Sequence, residues 1–146
     1  MKLEFVKLTD TATEPMFAHV GDACFDIRAD IREPVFIRPG ETATIPTGLA
    51  FNIPIGWKLH LHSRSGHGIK NGIRLANCTG VVDAGYRGEV IVALHNDHPF
   101  DIFGVKPGDR IAQAALEHVE PVTLVEASVL DSTERGTGGF GSTGVA

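Results

Sequence analysis

The sequence predicts an all-β domain, of sandwich or barrel type. Three observations predict it. Seventeen glycines and eight prolines are spread through 146 residues. Between them lie short runs that are apolar or alternate in polarity. Turn signals such as Arg38-Pro39-Gly40 and Pro46-Thr47-Gly48 separate neighbouring runs. Short strands at this spacing fit a sandwich or barrel better than a helical or βαβ arrangement.

Lys2–Leu8 reads as the first strand, followed by Val35–Ile37, Thr42–Ile45 and Leu49–Ile53. Trp57–His62 alternates, with Trp57, Leu59 and Leu61 on one face and Lys58, His60 and His62 on the other. Val90–Leu94 is an unbroken apolar run bounded by Gly88 and Asn96. Two stretches depart from the pattern. Ser65–Asn71 suits a short helical turn, and the alanine-rich Arg110–Glu120 has helix propensity. No repeat or second domain is visible. Residues 1–134 form the expected domain, and residues 135–146 a glycine-rich terminal segment. Arg135–Gly144 holds five glycines and one large apolar side chain, Phe140. Such a segment cannot repay its own ordering entropy and is expected to stay mobile until something binds it.

Hydrophobic residues make up 42% and charged residues 21%, the balance of a soluble globular protein. No apolar run approaches the roughly 20 residues of a membrane helix. The N-terminus lacks the apolar core of a secretory signal. Cys24 and Cys78 form no CxxC pair and no disulfide framework, which fits a reducing, cytoplasmic setting (or a host cytoplasm or nucleus for a viral protein). The net charge of −5 with no basic run argues against general nucleic-acid binding. A small polyanion remains open, because it needs only a few arginines and backbone N–H groups.

Several segments carry candidate chemistry. In the tail, glycines let backbone N–H groups wrap an anion. Arg135 adds a forked donor, Ser142 and Thr143 add hydroxyls, and Phe140 adds a ring able to stack on a base. The same composition also describes an ordinary unstructured terminus. Ser63-Arg64-Ser65-Gly66 follows the alternating strand and suits phosphate oxygens, or equally a polar turn. In Asn77–Glu89 (NCTGVVDAGYRGE), Asp83 is either a turn residue or a general base with Tyr86 as a pocket wall. Asn77 offers a donor and an acceptor to a base edge. Gln113 can donate to a phosphate, while Asp109 and Arg110 can pair across a turn. Asp26 lies in an apolar context, where a carboxylate is paired or functional. His60 and His62 share a strand face, but the sequence offers no third metal ligand beside them, so a solvated pair is expected.

Five blocks stand in order: Asp26, Arg64-Ser65, Asp83-Tyr86, Gln113 and the Arg135–Gly144 tail. Together they resemble the five motifs of the trimeric dUTPase family, from about Ala23 to Gly144. Two positions depart from that pattern. Cys24 stands where the first motif has glycine, and Gly85 where the third often has aspartate. The resemblance implies a distorted jelly-roll β-barrel, with Arg110–Glu120 a strand, and a homotrimer whose sites lie between subunits. It implies hydrolysis of dUTP to dUMP and pyrophosphate, limiting uracil in DNA and supplying dUMP for dTMP synthesis. Asp83 would activate the water that attacks the α-phosphorus, and Tyr86 would exclude a 2′-hydroxyl. Asn77 and the backbone through Val82 would read uracil. Arg64, Ser65, Gly66 and Gln113 would hold the α- and β-phosphates. Phe140 would cover the base, while Arg135, Gly138, Gly141, Ser142 and Thr143 would clasp the γ-phosphate. Mg2+ would ride on the triphosphate, with Asp26 reaching it only through water. Neither nucleic acid nor membrane is an expected partner.

Two rivals are weighed against this reading. A dCTP deaminase shares the fold but carries a catalytic glutamate on the strand after the third motif, where this chain has Ala93. A non-catalytic binding protein on the same scaffold would lack the Asp83 base or the tail, and both are present.

Overall fold

Eleven short strands and one helix carry residues 1–140 and Ser142, which the computed structural model describes. In chain order they are β1 (Glu4–Lys7), β2 (Phe25–Arg28), β3 (Val35–Ile37), β4 (Thr42–Pro46), β5 (Leu49–Asn52) and β6 (Trp57–His62). Helix α1 (Ser65–Asn71) follows. Then come β7 (Ile73–Leu75), β8 (Gly80–Val82), β9 (Ile91–Asn96), β10 (Phe103–Val105) and β11 (Arg110–His118). The all-β expectation holds, and α1 occupies the predicted helical stretch. No described helix is long and apolar enough to cross a membrane.

The strands form four antiparallel sheets ordered β1-β5, β10-β3, β2-β11-β6-β8 and β4-β9-β7. One hydrophobic cluster joins all four, with Ile27, Ile37, Ile45, Leu49, Leu59 and Val105 at its fully buried centre. Each such side chain contributes about 1.5–3 kcal/mol relative to exposure. Strand β6 follows its predicted alternation: Leu59 and Leu61 are buried, while Lys58, His60 and His62 lie on the other face.

Arg110–His118 is a strand despite its alanines. It lies between β2 and β6, and Ala112 and Ala114 are fully buried. A small side chain there lets the neighbouring layer approach, and that packing outweighs a weak local preference. A register irregularity between Arg110 and Ala112 buries Ile111 and Ala112 consecutively. Beyond it, Gln113 pairs with Asp26 on one side and His62 on the other.

Two buried polar side chains tie the sheets together. Asn96 Nδ2 donates to the carbonyls of Ile37 (2.9 Å) and Asp101 (2.8 Å). Thr47 Oγ1 donates to the Val90 carbonyl at 2.6 Å. Next to it Gly48 adopts φ 63°, and a Cβ there would meet Ala12 Cβ at 2.6 Å, so only glycine fits this turn.

Candidate active site

The turn linking β7 to β8 and the loop after β8 frame a cavity of about 300 Å3, lined by Asn77, Val82, Asp83, Tyr86, Ile91 and Ala93 among others. In that turn, Cys78 has φ 61°, the one left-handed non-glycine residue among those described. That conformation is uncommon for a side chain of its kind. It closes a tight turn in which Thr79 N donates to the Asn77 carbonyl at 2.6 Å. Asp83 stands exposed just past β8, where its carboxylate can meet water.

The loop carrying Asp83 is fixed by contacts that sequence reasoning missed. Tyr86 Oη donates to the Glu89 carbonyl at 2.9 Å. The ring lies so close to Gly88 that a Cβ there would meet Tyr86 Cζ at 2.7 Å. Glu89 Oε1 accepts from the N–H of Thr47 (3.1 Å) and of Gly48 (2.7 Å). Arg87 Nη2 donates to Asn52 Oδ1 at 2.8 Å. The signal was present in GYRGE, where two charges follow the tyrosine, but nothing local says which distant backbone they reach.

A second, polar cavity of about 370 Å3 is lined by Cys24, Asp26, Arg64, Arg110 and Gln113, with Ala18, Asp22 and Ala23 at its edge. Asp26 pairs with Arg64 and with Arg110. Arg110 therefore does not pair with Asp109, whose Oδ2 instead accepts from Lys106 N at 2.8 Å. Arg64 caps α1 without a side-chain cap, and Ser65 and Gly66 open the helix, exposed. The Cys24 thiol is pushed up, chiefly by partial burial and then by the carboxylates of Glu117 and Asp22, so it is held as a thiol and offers no nucleophile.

Asn77, Val82, Asp83 and Tyr86 thus share one cavity, and Asp26, Arg64 and Gln113 share another. No residue lines both. No described residue of the tail lines either one. Arg135 Nε donates to the Gly138 carbonyl at 3.1 Å and Ser142 N to the Gly139 carbonyl at 3.1 Å, a local turn. Phe140 is fully exposed. Gly141 and Thr143 lie outside the described residues. Ahead of the tail, Val122, Leu124, Val125, Val129 and Leu130 are all largely exposed and belong to no strand.

Several histidines that sequence alone left without a role have partners. His67 Nε2 donates to the Arg110 carbonyl at 2.8 Å, joining α1 to the start of β11. His98 Nδ1 accepts from Asp101 N at 2.8 Å. His60 and His62 do not stand alone on their face, because Glu117 of β11 reaches both.

Comparison with known proteins gives one consistent result. Residues 10–144 match a family model described as dUTPase. The deoxyuridine 5'-triphosphate nucleotidohydrolase of Caulobacter vibrioides is 45% identical over 133 residues, covering 90% of this chain and 85% of the relative. That of Chlamydia muridarum is 45% identical over 141 residues, covering 96% and 97%. Among solved structures, the dUTPase of Staphylococcus bacteriophage 80alpha with dUPNHPP superposes at a TM-score of 0.86. It has 30% identity, and 99% of each chain is covered. A variant dUTPase of phage phi11 of S. aureus, solved to describe coordination of a structural Mg(II) ion, superposes at 0.79 with 25% identity. There 88% of this chain and 98% of that one are covered.

Proposed function

The chain belongs to the dUTPase family and hydrolyses dUTP to dUMP and pyrophosphate, and from that premise we propose which of its residues carry the reaction. Asp83 is the general base. It takes a proton from a water that attacks the α-phosphorus in line, and the bond to the bridging oxygen of the β-phosphate breaks as pyrophosphate leaves. Positioning and charge stabilisation supply most of the acceleration in such a displacement, so one carboxylate suffices. Asn77 and the backbone to Val82 read the uracil edge, and Tyr86 packs against the deoxyribose. Arg64, Ser65, Gly66 and Gln113 hold the α- and β-phosphates. The tail closes over the substrate, with Phe140 on the base and Arg135, Gly138, Gly141, Ser142 and Thr143 at the γ-phosphate, as a lid that excludes water.

The separation of the two cavities is the observation that carries this reading. The cavity lined by Asn77, Asp83 and Tyr86 shares no residue with the one lined by Arg64 and Gln113. One chain alone does not bring them together, so the complete site forms between copies, in a homotrimer. The exposed apolar residues between Val122 and Leu130 supply surface for that association.

The residues fit Mg2+ delivered by the substrate rather than a protein cage. Asp26 is the single carboxylate between Arg64 and Arg110, and this ion keeps several waters and binds through phosphates. Bound there, it would neutralise charge on the leaving pyrophosphate, with Asp26 holding one of its waters. The unpaired cysteines suit a reducing cytoplasm.

Deamination of dCTP is disfavoured by one observation. Ala93 lines the first cavity and presents a methyl group where that reaction needs an acid. The deciding experiment is a product assay across the nucleoside triphosphates, with and without Mg2+. Pyrophosphate release confined to dUTP and dependent on Mg2+ is expected. Ammonia from dCTP, or equal turnover of UTP, would overturn the assignment of the pocket.

A further inference from the structure

On the face of the β2-β11-β6-β8 sheet opposite the buried Leu59 and Leu61, three metal-ligating side chains converge. His60 and His62 project from β6, and their rings lie 4.1 Å apart, centre to centre. Glu117 of β11 stands opposite Lys58, one step along from the pair His60–Ala115. The methyl of Ala115 leaves space in which the glutamate can lean towards both rings. Glu117 Oε1 lies 2.9 Å from His60 Nδ1 and 3.8 Å from His62 Nε2. One ligand atom from each of the three residues falls within 4.8 Å of the others. We propose that His60, His62 and Glu117 form a binding site for a divalent transition-metal ion of the zinc class.

The spacing supports the assignment. Zinc bonds to imidazole nitrogen and carboxylate oxygen are about 2.0–2.2 Å, and structural and catalytic sites are tetrahedral. Two ligand atoms around such an ion stand about 3.3–3.5 Å apart by that geometry. The two separations from Glu117 bracket this value and the third lies within 4.8 Å, so side-chain rotations can bring all three atoms into position. Two imidazoles and one carboxylate leave a fourth position for water, an established donor set for zinc.

Hydrogen bonding satisfies only part of the cluster: His60 Nδ1 and Glu117 Oε1 share a hydrogen bond at 2.9 Å, which a metal would replace. Nε2 of His60 is buried with no partner, and the His62 contact at 3.8 Å is too long for a hydrogen bond. The second carboxylate oxygen, Oε2, is already held by Lys58 Nζ at 3.4 Å. Lys58 can therefore keep Glu117 oriented from outside while Oε1 takes the metal, as outer partners commonly do for a ligating carboxylate. Imidazole ligands select zinc, nickel or copper over magnesium. The donor set thereby discriminates against the triphosphate-borne Mg2+, although His62 pairs across the sheet with Gln113.

The full-length, chelator-treated protein tests this by titration with zinc chloride in excess Mg2+, followed by calorimetry. Cobalt(II) chloride in a parallel titration reports coordination through its visible absorption. One Zn2+ per chain is expected, with affinity unchanged by Mg2+, and Co2+ should give the intense bands of a four-coordinate site. The double variant His60→Gln/His62→Gln should bind Zn2+ at least about 100-fold more weakly, since even outer-partner losses cost 10- to 100-fold. Glu117→Gln, which keeps side-chain size, should also weaken it and carries the test if the histidine variant does not fold. Equal Zn2+ affinity in wild type and Glu117→Gln, or displacement of Zn2+ by Mg2+, would overturn the proposal.

Discussion

The carboxylate of Asp26 lies 3.4 Å from Nε of Arg64, and its other oxygen lies 3.3 Å from Nη1 of Arg110. The strand β2 residue thus occupies the guanidinium that a phosphate would need. On the proposed assignment of Arg64 to the phosphates, an incoming triphosphate would take Arg64 over from Asp26 and free Asp26 to face the cation the substrate brings. Replacement of one anion by another at the same fork costs less than desolvating a bare arginine.

Asp26→Asn should therefore shift cation dependence more than substrate affinity. The Mg2+ concentration for half-maximal turnover is expected to rise about tenfold, in the range seen when an outer partner of a metal is lost. Steady-state kinetics at graded Mg2+ measures this. An unchanged Mg2+ profile would remove Asp26 from any contact with the cation's waters.

Asp83→Asn should bind dUTP with near-normal affinity and turn it over about 100- to 10,000-fold more slowly, the usual worth of a general base. Binding by calorimetry and pyrophosphate release on the same preparation separate the two effects. Near-normal turnover would dismiss Asp83 as the base.

Tyr86 and Gly88 should act as one unit. Tyr86→Ala is expected to reduce the preference for dUTP over UTP by about 10- to 100-fold, since a pocket wall rejects an added hydroxyl only that strongly. Gly88→Ala forces the ring to move, because its new methyl would stand 2.7 Å from Tyr86 Cζ, and so should erode the same preference. The double variant should be no worse than Tyr86→Ala alone. Additive losses would show that Gly88 serves something else.

Truncation before Arg135 should leave a folded oligomer, because no described residue beyond 134 enters a strand or the hydrophobic cluster. Its kcat/KM should fall by about 100-fold or more, the scale of a site left open and imperfectly aligned. Circular dichroism and light scattering check the fold, and kinetics the lid.

Gly48→Ala should lower stability by about 2–4 kcal/mol, from a left-handed backbone and an overpacked turn. Chemical denaturation reads the loss as a lower midpoint at constant slope.

The fold was legible wherever a strand pattern was local. Trp57–His62 has the predicted bounds because alternation marks it, and Val35–Ile37 because Pro34 and Arg38-Pro39-Gly40 flank a short apolar run. Arg110–His118 was obscured by its alanines, whose value lies in being small between two other strands. Strands β2, β7, β8 and β10 are only three or four residues long, too short for a period to register. In the site, Asp26, Arg64, Asp83 and Gln113 stand out by order along the chain. Glu89 and Glu117 do not, because each acts on residues about 40 to 60 positions away. Glu117 in particular turns an apparently solvated histidine pair into a three-residue cluster.

The contact between Tyr86 and Gly88 has a practical corollary for redesign. A library that varies position 86 alone samples only side chains compatible with a glycine-thin floor beneath them. A library that varies position 88 alone mostly displaces the ring already there. Varying both together opens shapes that neither single search can reach, including pockets wide enough for a ribose.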